Sequence, residues 1–168
     1  MSASLNVLGL LSWLVLTYAA AALGARVTGP AIGTWYAQLR KPSFNPPNWV
    51  FGPVWGALYT LMAISAWLVW RRAGTAVVAP ALLLYLVQLA LNSVWSWLFF
   101  GRHNPGRALV DLAALWCLIL ATMLAFWRVL PGAGMLLLPY LAWVSFAAVL
   151  NYALWRLNLP GAHSADGK

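Results

Sequence analysis

The stretch KPSFNPPNWVFGPVW, Lys41 to Trp55, holds four prolines, two tryptophans and two phenylalanines, and it leads into a long apolar run. Proline lacks an amide donor and breaks helix interiors. Its placement here avoids that cost. Pro46 and Pro47 stand just before the apolar run, where a missing N–H removes no intrahelical bond. Pro53 falls in the first turn or two, where few such bonds exist, and Pro42 keeps Lys41 extended. The stretch therefore reads as a stiffened loop that delivers the chain into a helix.

What that helix enters follows from composition. The chain has 168 residues, is 64% hydrophobic and only 7% charged. A soluble domain is about one quarter charged. There is no glutamate, and Asp111 and Asp166 are the only acids. So few charges leave a water-facing surface uncovered, which makes this a membrane protein. Five apolar segments run roughly over 5–25, 49–70, 77–100, 108–129 and 135–156. Each has about 20 residues, enough to cross about 30 Å of hydrocarbon. Backbone groups must be satisfied within lipid, so the segments are helices. The expected fold is an all-α integral membrane protein, a five-transmembrane-helix bundle forming one domain over 1–168. Residues 26–48 form a long loop, long enough to act as a lid, and 157–168 a polar tail expected to be disordered. The N-terminal run ends in small residues, as a cleaved signal would. No Lys or Arg precedes Arg26, however, so a retained first span is expected.

The net charge of +8 would suggest nucleic acid in a soluble protein, but here the bases lie between apolar runs and set orientation, so no nucleic-acid partner is expected. Arg26, Arg40, Lys41, Arg102, Arg107, Arg156 and Lys168 flank one side, against Arg71, Arg72 and Arg128 on the other. The richer side is read as cytoplasmic, with the N-terminus outside and the C-terminus cytoplasmic. The lone Cys117 excludes an intramolecular disulfide and reads as a small core residue.

Twelve tryptophans need an account. Trp35, Trp49, Trp67, Trp70, Trp95, Trp97, Trp127 and Trp155 lie near segment ends, where an interfacial aromatic belt explains them. Trp13, Trp55, Trp116 and Trp143 lie deeper and suggest an aromatic-walled pocket or bundle packing. Helical spacing groups further residues: Phe51, Trp55 and Tyr59 on one face, Gln88, Asn92 and Ser96 on another, Trp143, Ala147 and Asn151 on a third. Polar groups within a membrane turn inward. Together they predict a cavity in the half of the membrane nearest the proline-rich loop, where Trp35 opens a short amphipathic turn. Polar side chains acting only as glue between helices are the alternative.

Asp111 is expected to pair with Arg107, one turn back, or with Arg102; a proton relay is the sharper alternative. Gly52 and Gly56 form G-x-x-x-G, a pattern for close helix contact. Leu150, Tyr152 and Arg156 fit a permissive sterol-contact pattern, with plain interfacial anchoring as the bland reading. No metal-ligand set, nucleophile–base pair or carboxylate dyad stands out, so no metal and no obligatory cofactor are expected.

The motifs WYAQLRKPSFNPPNWVFGPVW (35–55), QLALNSVWSWLFFG (88–101) and LPYLAWVSFAAVLNYALWRLN (138–158) resemble the translocator protein family, also called tryptophan-rich sensory proteins or peripheral-type benzodiazepine receptors. The resemblance spans all five segments. It implies a five-helix bundle, often a homodimer, that binds protoporphyrin IX or another tetrapyrrole and, in some members, cholesterol or benzodiazepine-type drugs. It carries ligand contact over to Phe51, Trp55, Tyr59, Asn92, Trp143, Ala147 and Asn151, a lid to Trp35 and Tyr36, and sterol contact to Leu150, Tyr152 and Arg156. Arg107 stands where animal members tend to carry an aromatic residue, and is a candidate contact for a ligand propionate. The composition points to a bacterial member, and helical spans point to the inner membrane of a bacterium. Three functions follow as expectations: a porphyrin sensor or translocator; a light- and oxygen-dependent porphyrin-degrading enzyme with Trp55 and Trp143 as redox-active candidates; and a small-molecule transporter using Asp111.

Overall fold

Pro47 is extended, at φ −57° and ψ 143°, and the residue after it starts a helix. The proline stretch thus ends where a long apolar helix begins. The structure, a computed structural model, describes residues 3–72 and 77–159. Its elements are α1 (Ala3–Ile32), α2 (Trp35–Gln38), α3 (Asn48–Trp70), α4 (Val78–Ser96) with a π-helical turn over Trp97–Gly101, α5 (Pro105–Val129), α6 (Pro131–Met135) and α7 (Leu138–Leu157). Among the described residues there is no strand. Among the described residues, five helical stretches are long and apolar enough to cross a membrane. The tail from 160 onward lies outside the described residues.

Boundaries differ from expectation where packing outweighs local signals. The first helix continues to Ile32, about two turns past the expected end at 25. Gly24, Gly29 and Pro30 are poor helix formers, but the extension packs on the end of α4. A Cβ on Gly24 would meet Ser96 Oγ at 2.9 Å, and one on Gly101 would meet Val27 Cγ1 at 2.8 Å. The loop is therefore shorter than 26–48, and it contains α2. The fourth span starts at Pro105 rather than 108: Asn104 Oδ1 accepts the Arg107 N–H at 3.0 Å, and proline takes the first position. The fifth span is preceded by the separate short helix α6.

The core lies among α3, α4, α5 and α7, around Met62, Tyr85, Leu112, Ile119, Phe126 and Tyr140. A second cluster at the loop end joins Tyr36, Phe99, Ala108, Leu150 and Leu154. Polarity is inverted relative to a soluble protein. Val15, Trp49 and Val110 are 70%, 75% and 73% exposed, while Thr17, Ser65, Gln88, Asn92 and Asn151 are buried. In lipid an apolar exterior costs nothing, and interior polar groups link helices by hydrogen bonds. Thr17 and Tyr85 share one at 2.6 Å between α1 and α4. The Ser65 hydroxyl donates to the Ala133 carbonyl at 2.7 Å, tying α3 to α6. The Trp67 Nε1–H donates to the Asn6 carbonyl at 3.0 Å, tying α3 to α1.

Two small-residue expectations fail, each for its own reason. Cys117 is exposed on the outer face of α5 rather than in the core. A Cβ at Gly52 or Gly56 would meet nothing within 4 Å, so the G-x-x-x-G pattern does not bring two helix backbones together, although the Tyr18 hydroxyl of α1 donates to the Gly56 carbonyl at 2.9 Å. Lipid accepts a cysteine as readily as the interior does, and the glycines border open space described next.

Candidate functional site

A cavity of about 430 Å³ opens in the half of the bundle nearest the loop. That volume lies within the range of small-molecule sites. All seven residues assigned to ligand contact, Phe51, Trp55, Tyr59, Asn92, Trp143, Ala147 and Asn151, line it. The spacing i, i+4, i+8 places Phe51, Trp55 and Tyr59 along one face of α3. Trp55 stacks on Tyr59 at 5.3 Å and 29°, and meets Tyr140 edge-on at 6.2 Å. Opposite, Trp143 on α7 meets Phe51 edge-on at 6.0 Å.

Asn92 and Asn151 hold the walls. The Tyr59 hydroxyl donates to Asn92 Oδ1 at 3.2 Å, Asn92 Nδ2 donates to the Tyr140 hydroxyl at 2.7 Å, and Tyr140 donates to Gln88 Oε1 at 3.0 Å. The chain runs from the cavity wall into the buried core. Gln88 shares the helix face with Asn92 and Ser96 but stops short of the cavity. Asn151 Oδ1 accepts from Trp95 Nε1 at 3.2 Å, and its Nδ2 donates to the Pro105 carbonyl at 2.7 Å. These amides already have partners, which makes aromatic faces the main surface presented to a ligand.

Of the four deep tryptophans, Trp55 and Trp143 line the cavity and two do not. Trp13 packs edge-on to Tyr85 at 5.8 Å, and the Trp116 Nε1–H donates to Ser145 Oγ at 2.9 Å. Depth alone does not say which way a side chain faces. Conversely Trp95, assigned above to an interfacial belt, lines the cavity and stacks on Phe99 at 5.4 Å and 24°. The wall contributed by α1, Tyr18, Ala21, Gly24, Ala25, Thr28, Gly29 and Ile32, is also new. Its spacing of three and four is a legible helical stripe, of which only Thr28, Gly29 and Ile32 lie past the expected helix end at 25.

The loop roofs this space. Tyr36 lines the cavity and its hydroxyl donates to Asn45 Oδ1 at 2.7 Å. Burial raises the Tyr36 hydroxyl pKa, and the Asn45 hydrogen bond offsets part of that, so the group stays protonated as a donor. Trp35 is outside the cavity. It stacks on His103 at 4.5 Å and 13°, and packs edge-on to Phe99 at 5.5 Å, anchoring α2 to the α4–α5 corner. Asn158 clasps the loop to the end of α7: its Oδ1 accepts the Arg40 N–H at 3.0 Å and its Nδ2 donates to the Arg40 carbonyl at 3.0 Å. Replacing Asn158 by Ala is expected to raise amide exchange across the loop by about 5- to 30-fold, as loss of about 1–2 kcal/mol predicts. Unchanged exchange would show that the clasp does not hold the loop.

Three further assignments are corrected. Arg107 is exposed and lines a different recess, away from the cavity, because the earlier start of α5 places it in the first turn. Asp111 forms no ion pair with Arg107 or Arg102 among the described residues, and its Oδ2 is buried without a hydrogen-bond partner. Arg102 instead lies over the Trp97 ring at 5.2 Å. Leu150 does not share the face of Tyr152 and Arg156: Leu150 is buried against the cavity, whereas Tyr152 and Arg156 are exposed. Residues two apart on a helix point in different directions. Among the described residues no cluster of His, Cys, Asp or Glu could hold a metal.

The TspO/MBR family matches residues 13–156. The human translocator protein is 49% identical over 74% of this chain and 75% of its own length. The tryptophan-rich protein TspO of Archaeoglobus fulgidus is 39% identical over 92% of this chain and 99% of its own. The tryptophan-rich sensory protein of Cereibacter sphaeroides is 40% identical over 86% and 91%. A multi-pass bundle, an aromatic cavity under a proline-rich loop and similarity over nearly every span agree: the chain belongs to the TspO/MBR family.

Proposed function

We propose that the chain binds a planar tetrapyrrole, protoporphyrin IX or a related porphyrin, in the cavity between α1, α3, α4 and α7, as a membrane sensor or translocator. The observation that carries this is the ring set of Phe51, Trp55, Tyr59, Trp95 and Trp143 around one space. Flat apolar ligands gain most from offset-stacked and edge-on aromatic contacts. The amides of Asn92 and Asn151 hold Tyr59 and Trp95 in place, so part of the site is formed before the ligand arrives. Tyr36 covers the mouth as a lid residue. The relatives' names, translocator and sensory protein, support movement or signalling as the output.

The loop end of the bundle carries Arg26, Arg40, Lys41, Arg102, Arg107 and Arg156. This supports a cytoplasmic loop end in a bacterial inner membrane, with the N-terminus outside. The outward apolar face of the bundle is compatible with a homodimer. The divergence of Leu150, Tyr152 and Arg156 disfavours a sterol surface along α7.

The test is a titration of the purified chain with protoporphyrin IX in the dark, following tryptophan quenching, and then under light in air. Saturable quenching with an unchanged porphyrin spectrum is the expected result. A new absorbing product that needs the protein and vanishes in Trp55→Phe would turn the reading toward a degrading enzyme. Absence of quenching would refute the porphyrin assignment.

A further inference from the structure

We propose that the recess between the π-turn and the start of α5 is a headgroup site for an anionic phospholipid. Trp97, Leu98, Gly101, Arg102, Asn104 and Arg107 line it, and it shares no lining residue with the aromatic cavity. Its charge comes from two guanidinium groups. Among the described residues neither pairs with a carboxylate, and neither side chain donates a hydrogen bond to protein, although Asp111 is only one turn from Arg107. Two uncompensated cations beside one recess repel each other. An anion with several acceptor oxygens relieves that repulsion and accepts from both.

The arrangement favours a phosphodiester. Arg102 lies with its guanidinium over the Trp97 ring at 5.2 Å. A guanidinium held against an aromatic ring still has N–H donors to offer to phosphate oxygens. The recess is shaped by local backbone: the Arg102 N–H reaches the Trp97 carbonyl at 2.8 Å across the π-turn, and the Asn104 N–H reaches that of Leu98 at 3.0 Å. These bonds turn the chain so that Arg102 and Arg107 flank one opening. The positive end of the α5 dipole adds to their field.

A lipid, rather than a free phosphate, is indicated by what adjoins the arginines. Trp97 is 48% exposed at the end of a membrane span, the depth at which tryptophan meets headgroups. Val94 lies one turn before Trp97 on α4, and Val110 one turn after Arg107 on α5. They are 41% and 73% exposed, so each helix offers an exposed apolar position one turn from the recess on its membrane side. A phosphate at the arginines would set its acyl chains against those positions.

The full chain is to be reconstituted in phosphatidylcholine nanodiscs with phosphatidylglycerol at about one lipid in five, as a surrogate for an anionic leaflet. Lipids retained on release are then counted by native mass spectrometry. The ratio of phosphatidylglycerol to phosphatidylcholine among the retained lipids is expected to exceed the bulk ratio by about fivefold, close to 1 kcal/mol of preference. The double variant Arg102→Gln, Arg107→Gln should return it to the bulk ratio. Arg128→Gln, exposed at the opposite end of α5, should leave the enrichment intact. Retained enrichment in the double variant overturns the site, and equal loss in Arg128→Gln reduces it to bulk charge. Displacement of the lipid by equimolar inorganic phosphate makes it a free-anion site and overturns the lipid assignment. Unchanged porphyrin quenching in the double variant shows that it is folded.

Discussion

Replacing Trp55 by Ala is expected to lower affinity for protoporphyrin IX by about 10- to 100-fold, measured by equilibrium absorbance titration in the dark. The indole lines the cavity and is held by a stack on Tyr59 and an edge contact with Tyr140. Its loss removes a large, rigid apolar face from the ligand, worth about 1.5–3 kcal/mol. The same substitution enlarges an existing cavity instead of opening a new one. The fall in thermal midpoint should therefore be smaller than for a tryptophan in sealed core. Trp116→Phe is the matched control. Trp116 bonds Ser145 away from the cavity, so affinity should stay within about twofold. Equal affinity in Trp55→Ala and wild type would place the porphyrin elsewhere, because no packing compensation refills so large a face.

Gly52→Phe is expected to abolish porphyrin binding, a loss of more than about 30-fold, while leaving the thermal midpoint almost unchanged. Gly52 lines the cavity, and a Cβ there would meet no atom within 4 Å. A phenyl group would fill space that the ligand needs without displacing protein. A close-packed G-x-x-x-G would behave in the opposite way: a bulky side chain would force helices apart and unfold the bundle. The pair of readouts separates the two. Lost stability with retained affinity would mean that α3 packs on a neighbour through Gly52. Gly134 provides the contrast, since a Cβ there would meet the Met123 carbonyl at 2.9 Å and Trp127 Cα at 3.0 Å. Backbone atoms cannot swing aside, so Gly134→Val should destabilise the fold through overpacking.

Much of this molecule is legible from local rules. Span length, the proline placement before Asn48 and the four-residue spacing of Phe51, Trp55 and Tyr59 depend only on helix geometry and on what lipid tolerates. The α1 wall obeys the same spacing, but its last part, Thr28, Gly29 and Ile32, lies beyond the expected end of the first span, past Gly24 and into Gly29 and Pro30. The contacts of Gly24 with Ser96 and of Val27 with Gly101 carry the helix past them. The α5 start was legible too: Asn104-Pro105 is a cap followed by a favoured first residue.

What the sequence by itself determined is the number of spans, the class of fold, the stiff loop and which residues share a helix face. The tertiary structure alone decided how each helix is rotated and what each side chain meets: Trp95 inward and Cys117 outward, Asp111 without an ion pair among the described residues, and the Asn158 clasp on Arg40. In water an apolar side chain identifies the inner face, because exposing it is costly. In lipid an apolar side chain is equally at home on either face, so the sequence carries a weak signal for rotation. Close packing and a few buried hydrogen bonds supply the rest, and they exist only once the helices have met.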